Sequence, residues 1–175
     1  MDKSHKILIL EDRRTDLELT KRAVLKAYPT AVITHAVNKD EFLQKINWIK
    51  YDLVLADYRL PDYNGLEALL YIREHYPHLP FIFVTGTLDS EESAAEAILR
   101  GANGYILKHN LANLPEQMAQ AFAWAEKNLA ARAEAEDRKR RRQLNLQKAI
   151  GLIDSADDFG EKNAVLGLLN QLIPS

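Results

Sequence analysis

Apolar and polar positions follow two rhythms along this chain. Short, nearly continuous apolar runs stand at KILIL (Lys6–Leu10), AVITHA (Ala31–Ala36), LVLA (Leu53–Ala56), FIFV (Phe81–Val84) and GYIL (Gly104–Leu107). Their β-branched and aromatic content predicts strands, and their continuity predicts strands covered on both faces. The stretches between them carry helix punctuation. Thr15 with Glu18 and Asn38 with Glu41 read as capping boxes, and Asp89 with Glu92 as a looser one. Pro29 closes the first helix, and Gly101 stands just past the end of the fourth. Asn113 with Glu116 caps a fifth helix beginning near Leu114, where Pro115 suits the first turn. Strict strand–helix alternation predicts a doubly wound α/β fold with a five-stranded parallel sheet in the order 2-1-3-4-5.

The last third has another pattern. Met118, Ala121, Phe122, Ala125 and Leu129 keep the 3.6-residue period of a helix packed on the sheet. Beyond Leu129 the segment AARAEAEDRKRRRQL is polar nearly all round, which predicts a projecting helix or a linker. A final amphipathic segment places Val165, Leu168, Leu169 and Leu172 on one face. The expected organisation is a domain over 4–128 and a helical extension over 129–175. The extension is expected to pack on a partner chain, on the projecting helix or on a further domain.

Composition changes this picture only by exclusion. There is no cysteine among the 175 residues, so disulfides, thiolate chemistry and cysteine-ligated metals are out. A net charge of -2 gives no global argument for nucleic acid or a membrane surface. No apolar run is long enough for a signal peptide or a membrane span, so the cytoplasm is the default location and no membrane partner is expected. Strand 1 is not followed by a dinucleotide-binding glycine fingerprint.

The predicted fold also says where chemistry belongs. Ligands of doubly wound sheets bind beyond the C-terminal strand ends, near strands 1 and 3. That rule selects Glu11, Asp12 and Asp57; strand 4 leads to Thr85 and strand 5 to Lys108. Three clustered carboxylates repel one another, and a hard divalent cation such as Mg²⁺ relieves the repulsion. With the cation present, Asp57 can attack a phosphoryl donor and form an acyl phosphate. Lys108 would neutralise charge on the transferring group, and Thr85 could donate its hydroxyl to a phosphoryl oxygen.

At these residues the chain closely resembles the receiver domain of two-component response regulators, CheY-like proteins of flavodoxin-like fold. The matching segments are LILED closing strand 1, LVLADYRLPDYNGLE around Asp57, FIFVTG carrying Thr85, and GANGYILK ending at Lys108. The resemblance covers about 4 to 128. It implies that Asp57 is the phosphoacceptor, receiving the group from a phosphohistidine of a sensor histidine kinase or phosphotransfer protein. It implies that Glu11 and Asp12 position Mg²⁺ together with Asp57 and the backbone carbonyl of Arg59. Thr85 matches the switch hydroxyl, Tyr105 the switch aromatic, and Gly86 the small residue beside the phosphoryl group. The implied protein is a switch that assists its own phosphorylation and dephosphorylation, not an enzyme turning over a separate substrate.

Three departures stand out. Glu11 replaces the first of two aspartates, and Arg59 and Thr87 occupy positions that tune dephosphorylation in the family. His109 stands where the family usually has a cis-proline, which predicts a trans Lys108–His109 peptide or strain held by the loop. Elsewhere, Trp48 and Trp124 read as packing residues. Arg138 to Arg142 follow Glu134, Glu136 and Asp137 at spacings that allow self-pairing on a helix. No helix-turn-helix follows, so direct DNA binding is not expected. The expected output is a repacked face of helix 4, strand 5 and helix 5, read by a partner or by homodimerisation through helix 5 and the extension. A dimer docked on a phytochrome-type kinase is one such form. The rival readings are a constitutive receiver-like scaffold and the N-terminal receiver of a longer signalling protein.

Overall fold

A computed structural model of the chain describes residues 4–86, 91–155 and 162–171. The chain divides into two compact units, the first ending at Asn128 and the second starting at Leu129. In the first unit the strands are β1 (Lys6–Leu10), β2 (Val32–Ala36), β3 (Leu53–Ala56), β4 (Phe81–Thr85) and β5 (Gly104–Leu107). They form one parallel sheet in the order β2-β1-β3-β4-β5, the predicted order. The helices are α1 (Arg14–Ala27), α2 (Lys39–Trp48), α3 (Gly65–His75), α4 (Glu91–Leu99) and α5 (Leu114–Asp154); α6 (Lys162–Gln171) belongs to the second unit.

Side chains alternate across each strand, so the continuous apolar runs feed two cores. Leu8, Leu10, Val54, Phe81 and Phe83 pack with Phe42 and Ile46 of α2 and Leu69 and Ile72 of α3. Ile7, Ile9, Leu55, Ile82 and Val84 pack with Leu17 and Val24 of α1 and with Leu114, Met118 and Ala121 of α5. A polar residue in the middle of β1, β3 or β4 would therefore be buried on one face or the other. The register sets Leu10 beside both Ala36 and Ala56, and Thr85 beside Leu107. The residues that follow these strand ends, Glu11, Asp57 and Lys108, leave the sheet at its C-terminal rim.

Local signals were met unevenly. Asn38 caps α2, its side chain accepting from the Glu41 N–H at 2.9 Å. The Glu41 carboxylate turns instead to Lys45, at 2.6 Å, and that bond leads the causes holding its pKa below the ordinary value. Gly101 follows α4 with φ +99°, the left-handed conformation that favours glycine. The Thr15–Glu18 box is not the start of α1, which begins at Arg14 after an extended Arg13. Asp16 rather than Glu18 is the acid of its first turn, for a reason found at the site. The Lys108–His109 peptide is trans, and the chain passes from β5 to α5 through a 3-10 turn, Lys108–Asn113. Trp124 is half-buried beneath the Arg73 guanidinium, 5.6 Å from its ring centre. Trp48 is not a packing residue: it ends α2 at 82% exposure, since the core side of that helix is filled by Phe42 and Ile46. Asp89 and Thr87 lie outside the described residues.

In the second unit no side chain described over 129–155 or 162–169 is buried. Leu146, Ile150 and Ile153 form a half-buried stripe, as do Val165, Leu166 and Leu169 of α6. Leu168, expected on that face, is 64% exposed, and Leu172 lies outside the described residues. Within the basic run Arg141 Nε lies 2.8 Å from Asp137, and upstream of it Arg132 Nε lies 2.9 Å from Glu136.

Candidate functional site

Two carboxylates at the rim are built alike. Glu11 follows β1, donates its N–H to Ala36 and accepts the Arg13 N–H on Oε1 at 3.1 Å. Asp57 follows β3, donates its N–H to Leu10 and accepts the Arg59 N–H on Oδ1 at 3.2 Å. Each acid thus uses one oxygen to hold the backbone N–H two residues on, Asp57 in the local turn that short side chains favour and Glu11 with its longer arm. The other oxygen of each points to the same ammonium. Lys108 Nζ lies 2.6 Å from Glu11 Oε2 and 2.6 Å from Asp57 Oδ2. Glu11 and Asp57 are 2% and 7% exposed, so these contacts operate out of water and are strong.

The loop after β3 keeps Asp57 in place. Asn64 caps α3, accepting the Leu66 N–H at 2.9 Å, and the Gly65 N–H donates to the Tyr58 carbonyl. A Cβ on Gly65 would collide with the Asp57 carbonyl oxygen and with the Phe83 ring. The Asn and Gly closing this segment therefore serve close approach of α3 to the strand end. His35 also supports the site: its Nε2 donates to the Glu11 carbonyl at 2.7 Å.

Sequence reasoning missed one acid. Asp16, in the first turn of α1, places Oδ2 2.8 Å from Lys108 Nζ and 3.6 Å from the exposed Arg13 guanidinium. Nothing in the sequence signals this contact, since 92 positions separate the partners. Three carboxylates, those of Glu11, Asp16 and Asp57, thus meet one largely enclosed ammonium. Burial opposes the charge of Lys108, but its bonds to Asp16, Asp57 and Glu11 prevail and raise its pKa above the ordinary lysine value. Burial raises the pKa of Glu11, against the lowering effect of Lys108 and the Arg13 N–H.

Ligand oxygens of Glu11, Asp12 and Asp57 lie within 4.8 Å of one another, Asp12 being the least buried of the three. An all-oxygen donor set with excess negative charge fits a hard divalent cation. Thr85, 2% exposed, ends β4 beside Leu107, one residue from Lys108. A Cβ on Gly86 would meet only the Lys108 side chain, at ordinary contact distance. Tyr105 is half-buried on β5 against Phe83 and Tyr58, with ring centres 6.0 and 6.4 Å away. No helix among the described residues is long and apolar enough to cross a membrane.

Residues 7–119 match the family model described as the response regulator receiver domain. The transcriptional regulator NtrC of Proteus hauseri is 28% identical over 132 residues, 75% of this chain and 26% of that protein. The nitrate/nitrite response regulator NarL of Escherichia coli is 31% identical over 102 residues, 58% of this chain and 47% of that protein. This chain thus spans about a quarter to a half of these two relatives. Among solved structures, a CheY-like receiver domain protein from Methanospirillum hungatei superposes with a TM-score of 0.63 at 30% identity, covering 72% of this chain and 99% of that one. The chain belongs to the response regulator receiver domain family of two-component signalling systems.

Proposed function

From this family membership and the rim geometry, we propose that the chain is a phosphorylation-dependent switch whose phosphoacceptor is Asp57. The observation that carries the reading is the Lys108 ammonium, 2.6 Å from Asp57 Oδ2 and shared with a second buried acid. An ion pair this enclosed has no evident structural purpose, because apolar residues could fill the same rim at no cost in stability. Glu11, Asp12, Asp57 and the Arg59 backbone carbonyl would hold Mg²⁺, which when bound supplies positive charge against the repulsion between carboxylate and phosphoryl group.

The donor is a phosphohistidine of a sensor histidine kinase or phosphotransfer protein. An Asp57 carboxylate oxygen bonds to phosphorus as the P–N bond breaks; the electron pair leaves with the imidazole, which takes a proton from solvent. Lys108 turns the donors that now meet Glu11 and Asp57 to the phosphoryl oxygens, and Thr85 donates its hydroxyl to one of them. Tyr105 turns inward as Thr85 moves, and the face of α4, β5 and α5 repacks. This is a population shift driven by contacts that the phosphoryl group makes in one state only.

The output is homodimerisation through α5 and the extension. The second unit supports this part of the reading, since no described side chain there is buried while Leu144, Leu152 and Leu168 stand exposed. The test is intact-protein mass after incubation with Mg²⁺ and acetyl phosphate, beside Asp57→Asn, with light scattering on the same samples. An adduct in the parent and none in the variant supports the switch. No adduct, with the fold intact, favours a constitutive scaffold. A scattering mass that does not change with the adduct removes dimerisation as the output.

A further inference from the structure

Lys108 is gripped by three acids, and they are not equivalent. Glu11 and Asp57 belong to the oxygen cluster suited to a cation, whereas Asp16 does not. Asp16 comes from a different element, the first turn of α1, and its backbone is held there by the helix. Its Oδ2 lies 2.8 Å from Lys108 Nζ, and both side chains are largely enclosed, at 15% and 9% exposure.

We propose that Asp16 is a positioning residue for phosphoryl transfer: it anchors the Lys108 ammonium at Asp57 while the other two acids are engaged elsewhere. The proposal rests on the reading of Asp57 as phosphoacceptor. Glu11 and Asp57, if holding a cation, would have less charge to share with Lys108, and phosphorylation would convert the Asp57 carboxylate into an acyl phosphate. Between them these events weaken two of the three bonds that fix the ammonium. The bond to Asp16 is untouched by either. A lysine side chain has four rotatable carbons and is held only by what its ammonium meets, so loss of the Asp16 bond lets it disperse before a phosphoryl group arrives. The exposed Arg13, 3.6 Å from the same Asp16 oxygen, is a weaker competitor because its charge is largely hydrated.

Two readouts test the anchor in the full chain. The first is the Lys108 ammonium signal in proton–nitrogen correlation spectra of the Mg²⁺-loaded protein, assigned with Lys108→Arg; slow exchange makes it visible only while the ammonium is bonded. The second is the rate of adduct formation with acetyl phosphate, by intact mass, with circular dichroism confirming the fold of each variant. The expected result is a signal present in the parent and in Asp16→Glu but lost in Asp16→Asn. Asp16→Asn should acquire the phosphoryl group about tenfold more slowly, as loss of one charged hydrogen bond implies, with Asp16→Glu restoring most of the rate. A signal retained in Asp16→Asn, or a rate equal to the parent's, overturns the proposal. A parent that takes no phosphoryl group while its ammonium signal behaves as expected overturns the phosphoacceptor reading, and the catalytic part of this one with it.

Discussion

Ion pairs of nearly equal length occur in two regions of this molecule under opposite conditions. At the sheet rim, Lys108 lies 2.6–2.8 Å from three acids with 9% of its side chain exposed. In the extension, Arg132–Glu136 and Arg141–Asp137 are 2.9 and 2.8 Å apart, with every partner more than half exposed. Distance alone would rank them together. Exposed pairs of this kind contribute about 0.3–0.5 kcal/mol, because water and salt screen them and long side chains must be ordered. The rim charges have been taken out of water, so each depends on its partner, and removing one member leaves the others uncompensated. A pair that is expensive to hold buried is retained for what it does, whereas a solvated pair serves mainly to keep a helix soluble.

Loss of a charge should matter most at the rim. Lys108→Ala, measured by urea unfolding without divalent cation, should lose about 3–5 kcal/mol, and Mg²⁺ should restore much of it by taking over the missing positive charge. A loss below about 1 kcal/mol would mean that the rim acids find other compensation. Alkaline pH gives a second, smaller effect on the metal-free parent. The folded-state pKa of Lys108 is raised, so its contribution is fully present below the ordinary value of 10.5 and is lost as pH rises through the folded-state pKa. The parent's urea midpoint should therefore fall above pH 10.5 more steeply than that of Lys108→Ala; parallel curves would contradict the assignment. The smallest effect belongs to the extension. Arg132→Gln and Arg141→Gln should each change the unfolding free energy by less than about 0.5 kcal/mol, and 0.5 M salt should erase the difference. A larger, salt-resistant loss would show that these charges are buried in an assembly.

The rim residues also differ in how plainly the sequence marks them. Glu11, Asp12, Asp57 and Lys108 were legible as one group because each follows an apolar run, and parallel strands in a known order deliver their ends to one rim. Asp16 was not legible. It stands in a helix, where an acid in the first turn has an ordinary explanation in the helix dipole, and its partner is 92 positions away. His35 was hidden for a similar reason, since its role is to hold a backbone carbonyl that the sequence does not mark. Trp48 misled in the other direction. A tryptophan at a helix end reads as packing, yet burial depends on what lies opposite, and Phe42 and Ile46 already fill the core side of α2.

What the sequence determined by itself is local and periodic: five runs of strand-forming residues, the helices between them, Asn38 and Gly101 at helix ends, and the trans peptide before His109. Strand order followed from five alternating strand–helix units, which suit a doubly wound sheet. What only the tertiary structure decided is the neighbourhood of each charge. The first turn of α1 starts at Arg14 rather than at the Thr15 box, and this places Asp16 against Lys108. The reason is energetic: a capping box offers about 1 kcal/mol to the helix end alone, while a buried ammonium without enough acceptors costs several. Local preference yields wherever a buried charge must be satisfied, and that requirement becomes visible only when distant segments are brought together.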